Sequence, residues 1–116
     1  MPKYGLSVMV NGTLTDTGIT LDITGGNNNN TKVKYSAGGS GPWTDFTGTV
    51  VRTGSGNGKD PSTGDTLTLT GPISTYTLSG TATYDPPGRR GGNGYYRAGG
   101  VTGDDADWQA TSSGNE

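Results

Sequence analysis

The sequence predicts an all-β fold, a single antiparallel β-sandwich of about seven strands, with a small β-barrel as the alternative. Three observations carry that prediction. Apolar residues recur with a period of two along most of the chain. Clusters of Gly, Pro, Asn and Asp separate the alternating runs. No ten-residue window offers an apolar helical stripe free of glycine. Composition agrees with this reading. Hydrophobic residues are only 27% of 116 residues and 23 residues are glycine, yet the net charge is just −2 and 20 residues are threonine. A disordered chain would carry more charge and fewer β-branched residues, so an ordered, turn-rich β protein is expected.

In chain order, Tyr4, Leu6, Val8 and Val10 share one face, and Lys3, Gly5, Ser7 and Met9 the other, up to the punctuating pair Asn11-Gly12. Ile19, Leu21 and Ile23 alternate with Thr20, Asp22 and Thr24, and stop at Gly25-Gly26-Asn27. Val33 and Tyr35 alternate with Lys32 and Lys34. Leu67 and Leu69 alternate with Thr66, Thr68 and Thr70. Thr75 to Tyr84 reads as one long strand, with Tyr76, Leu78, Gly80, Ala82 and Tyr84 inward. The expected core runs from Tyr4 through Ile19, Val33, Phe46, Val50, Leu67 and Tyr76 to Tyr84. Roughly fifteen such side chains, at about 1.5–3 kcal/mol each when fully buried, hold a domain of this size. Residues 1–103 are expected to form the sandwich and residues 104–116 a polar, acidic C-terminal arm anchored by Trp108.

Residues 32–46 read KVKYSAGGSGPWTDF: an apolar strand ending Tyr-Ser, a glycine turn, then Trp43. This stretch resembles the central hairpin of immunoglobulin-like and fibronectin-III-like modules. The resemblance implies a sandwich of the kind used on cell surfaces and virions, with no active site attached. The immunoglobulin cysteine pair is absent, which excludes an antibody-type domain.

Much chemistry is excluded by composition. The chain has neither histidine nor cysteine, so Ser-His-Asp and Cys-His catalysis, disulfides and the usual zinc sites are impossible. Acid–base work would fall to carboxylates, but all of these except Asp22 lie in or beside expected turns, where Asp is an ordinary turn former. No enzymatic activity and no cofactor is expected. Asp104-Asp105-Ala106-Asp107 offers hard oxygen ligands but lacks the spacing of a calcium loop, and reads as a solvated acidic run. The N-terminus runs straight into an alternating pattern without an apolar signal segment, and no apolar run has the length of a membrane span. A virion or extracellular surface is the expected location, and no membrane contact is expected.

The segment GRRGGNGYYRAGG, residues 88–100, is the best candidate for contact with a partner. Arg89, Arg90, Asn93, Tyr95, Tyr96 and Arg97 are its candidate binding residues, together with Trp43 and Trp108. Base stacking on Tyr and Arg would suit RNA, but a net acidic chain offers no basic surface for phosphates, so nucleic acid is not an expected partner. Flat aromatic faces also suit sugar rings, and Tyr, Trp and Arg are the residue types enriched at protein interfaces. Residues 86–103 hold three arginines and no acid, whereas residues 104–116 hold four acids and no base. Such a loop and tail can meet within one copy or between neighbouring copies. The expected function is therefore non-enzymatic and structural, an attachment protein that presents loops to a virion, a filament or copies of itself. A small carbohydrate-binding module using Tyr95, Tyr96 and Trp43 is the alternative. Threonine runs such as Thr66-Leu67-Thr68-Leu69-Thr70 resemble ice-binding arrays, but the long loops do not suit a flat solenoid.

Overall fold

The structure, a computed structural model, describes residues 3–25, 30–56, 61–85, 95–98 and 108–112. Among these there is no helix, and every strand pairing is antiparallel. The strands are β1 (Lys3–Val10), β2 (Thr13–Thr24), β3 (Lys32–Ala37), β4 (Thr44–Asp45), β5 (Thr49–Thr53), β6 (Thr66–Ile73), β7 (Tyr76–Leu78), β8 (Thr81–Asp85), β9 (Tyr95–Ala98) and β10 (Trp108–Ser112).

Asn11 and Gly12 join β1 to β2 in a two-residue turn, with Val10 opposite Thr13. Their φ values of 50° and 82° place both in the left-handed region that Asn and Gly tolerate and most residues avoid. Further along this hairpin, Leu6 pairs with Ile19 but Ser7 pairs with Asp16, so Thr17 and Gly18 form a bulge on β2. Polar side chains satisfy the bulged backbone. The Thr17 hydroxyl donates to the Leu6 carbonyl at 2.7 Å and accepts from the Ile19 amide, and the Asp16 carboxylate accepts from the Gly18 amide. Beyond the bulge Val8 keeps its inward place, but Met9, expected outward, is buried, and Val10, expected inward, is exposed.

The strand order is β4-β3-β2-β1-β10-β9-β8-β6-β5, with β7 paired to the far end of β6. Nearly all neighbours in the sheet are neighbours in sequence. The Greek-key return that immunoglobulin-like sandwiches use is not among the described pairings. The outermost strands β4 and β5 do not pair with each other, so the sheet is not closed into the barrel considered as the alternative. Between them Phe46 donates its amide to the Val33 carbonyl and is buried. One core cluster draws on both halves of the sheet. Tyr4, Leu6, Val8, Ile19, Leu21, Ile23 and Val33 come from β1 to β3, Leu67, Leu69, Ile73, Leu78 and Ala82 from β6 to β8, and Trp108 from β10.

The described residues form ten strands where about seven were expected, and two stretches depart from the sequence reading in particular. Thr75 to Tyr84 is two strands, because β7 pairs with residues 71–73 of β6 and β8 with residues 66–68. The break comes at Gly80, whose carbonyl accepts the Leu69 amide at 3.3 Å and the Trp108 indole N–H at 2.7 Å. Residues 108–112, assigned above to the polar arm, form β10, which pairs with β1 on one side and β9 on the other.

Candidate functional site

Several of the candidate binding residues lie outside the described residues: Arg89, Arg90 and Asn93. Tyr95, Tyr96 and Arg97 lie in β9, between β8 and β10. Tyr95 is in register with Asp85 and Thr111, Tyr96 with Tyr84 and Ala110, and Arg97 with Thr83. Trp108 is 1% exposed and sits in the core opposite Val8. It ties β10 to both halves of the sheet and offers no contact surface. Trp43 is half-buried and lies outside the core cluster. The Lys3 ammonium stands 5.3 Å from its ring centroid, and its indole edge packs against Gly41.

A buried ion pair went unread in the sequence. Arg52 and Asp65 are 2% and 3% exposed and meet at 2.7 Å. The Asp65 carboxylate also accepts the backbone amides of Ser55, Gly56 and Ser62 at 2.8–3.1 Å. One side chain thus fastens both ends of the segment joining β5 to β6. The signal for it was present: Arg52 is two residues from Val50 and Asp65 two residues from Leu67, so a period of two places both on core-facing positions. Since its oxygens are taken up by four structural donors, Asp65 serves the fold rather than chemistry.

The two outer faces of the sheet are electrostatically unlike. On β1 to β4 the face carries Lys3, Asp22, Lys34 and Asp45, with Lys34 and Asp45 3.9 Å apart and both well exposed. On β5, β6 and β8 the corresponding face is built from rows of paired residues: Thr53–Thr66–Thr83, Val51–Thr68–Thr81 and Thr49–Thr70. All eight are exposed or half-buried, Val51 by 50%, and none is charged. Register extends the first row to the position of Arg97 on β9. The hydroxyls of Thr68 and Thr81 bond each other at 2.7 Å. Among the described residues no group of three or more His, Cys, Asp or Glu could hold a metal ion, and no helix is long and apolar enough to cross a membrane.

No family model, no curated protein and no solved structure matches this chain.

Proposed function

We propose that this protein is a non-enzymatic attachment protein of sandwich-like, two-layered architecture, which docks through the uncharged outer face of β5, β6 and β8 onto copies of itself in a repetitive array. The threonine and valine rows carry the reading. A face meant only for water ordinarily carries charges of both signs, as the β1 to β4 face does. Here eight neighbouring positions hold seven threonines and one valine. Such a face is self-complementary in charge, because two copies brought together bury no like charges. β-branched side chains also lose little rotamer freedom on docking.

Eight residues fall well short of the roughly 20–30 per side of a stable interface. A single contact is therefore weak, and attachment gains strength through repetition, as multivalent binding does. Arg97 on β9 is in register with Thr83, at the end of the first threonine row. The test is the pair of substitutions Val51→Lys and Thr68→Lys. It places like charges at the centre of the face without touching the core, and is expected to abolish self-association while leaving the circular dichroism spectrum unchanged.

A further inference from the structure

A cavity of about 260 Å³ opens where the β3–β4 loop meets the β6–β7 turn, on other strands than the threonine face. We infer that it is a binding site for a single uncharged sugar ring. The inference goes beyond the copy-on-copy contact and is independent of it, and the site uses none of Tyr95, Tyr96 and Trp43.

The lining has two chemical halves. Ile19, Ala37 and Pro42 give it apolar side chains, and Tyr35 adds an aromatic ring. Thr44, Ser74 and Tyr35 bring hydroxyls to the same lining, beside the buried Ser36. Within the described residues no hydrogen bond occupies any of these three groups. A lining that mixes apolar side chains with uncommitted hydroxyls suits a ligand that is apolar on one face and rich in hydroxyls at its edge, which is the chemistry of a pyranose. Among the described residues the lining has no lysine, arginine or carboxylate side chain, which suits an uncharged ligand. The volume lies below the roughly 300–1,000 Å³ of sites for larger molecules, which suits one ring rather than an extended chain.

The site is held in shape before any ligand arrives. Ser36 is buried, and its hydroxyl accepts the Gly41 amide at 2.9 Å, which fixes the corner leading to Pro42. Ser74 is held with φ at 55° in the two-residue turn between Ile73 and Tyr76. A preformed pocket keeps the ordering cost of binding low.

The test is titration of the folded protein with the methyl glycosides of glucose, galactose, mannose and N-acetylglucosamine, following backbone amide signals. At least one glycoside should shift the amides of Ala37, Gly41 and Ser74 saturably. Ala37→Phe fills the cavity from an exposed position and should weaken binding more than tenfold. Ser74→Gly suits the left-handed backbone, so folding is preserved, and it should weaken binding by about twofold to tenfold, the loss of one neutral hydrogen bond. Val51→Lys with Thr68→Lys should leave the affinity unchanged. Three results would overturn the inference: no shift at these amides with any glycoside, equal shifts in Ala37→Phe, or an equal response to benzyl alcohol, which has the apolar face without the ring of hydroxyls.

Discussion

Asp65 shows how much of this fold depends on a single side chain. Its carboxylate meets one guanidinium and three backbone amides away from water. Asp65→Ala removes the carboxylate that the Arg52 guanidinium and three backbone amides share, and should cost about 3–5 kcal/mol out of a total near 5–15 kcal/mol for a single domain, measured by urea unfolding. Replacing both partners, Arg52→Met with Asp65→Leu, removes the buried charge along with its partner and should cost less than Asp65→Ala alone. A larger loss in the double variant would mean that the amide contacts, not the charge pair, dominate. Gly54 belongs to the same unit. Its φ is 146°, and a Cβ there would sit on the Asp65 carboxylate. Gly54→Ala should therefore destabilise about as much as loss of the ion pair, and less in the Asp65→Ala background, where the obstructing carboxylate is gone and only the backbone strain of the positive φ remains. The pair was legible from parity along β5 and β6, but only to a reader willing to place two charges inward. The usual rule that Arg and Asp face water hides it.

At the scale of strands, local pattern was enough for β1, β2, β3 and β6. Each has alternating apolar residues, and turns such as Asn11-Gly12 stop them where the sequence says they should. The limits lay where pairing partners are distant. β10 has one large apolar residue, Trp108, in a polar stretch; its place comes from pairing with β1 and β9, which local periodicity cannot report. The division of the Thr75–Tyr84 run has the same origin, since Gly80 bends where a tryptophan from 28 residues away donates to its carbonyl. Trp108→Phe keeps most of the burial but removes that donor, and should cost about 1–2 kcal/mol. Trp108→Ala should cost about 3–5 kcal/mol. Comparing the two by thermal unfolding separates the hydrogen bond from the packing. Deleting residues 108–116 removes a strand that holds β1 beside β9, and should abolish cooperative unfolding altogether. A truncated chain that unfolds as sharply as the whole would show that β10 is an accessory to the fold.

Over the whole molecule, the charged face of β1 to β4 and the uncharged face of β5, β6 and β8 give the protein two unlike sides. The threonine runs were visible in the sequence, but their assembly into rows across three strands was not, because register between β5, β6 and β8 is set by the core residues Leu67, Leu69 and Ala82 on the opposite side. Composition of the partner face follows from the same register. The array does not suit an ice lattice, since Thr68 and Thr81 bond each other rather than presenting both hydroxyls outward, and neighbouring strands in such a sheet twist by about 20–25°. The most direct test of copy-on-copy docking is the dependence of backbone amide signals on protein concentration, in the wild type and in Val51→Lys with Thr68→Lys. Progressive shifts confined to Val51, Thr68, Thr81 and their row neighbours, and lost in the double variant, are the predicted result. Signals on these strands that stay fixed at every concentration in the folded wild type would contradict it.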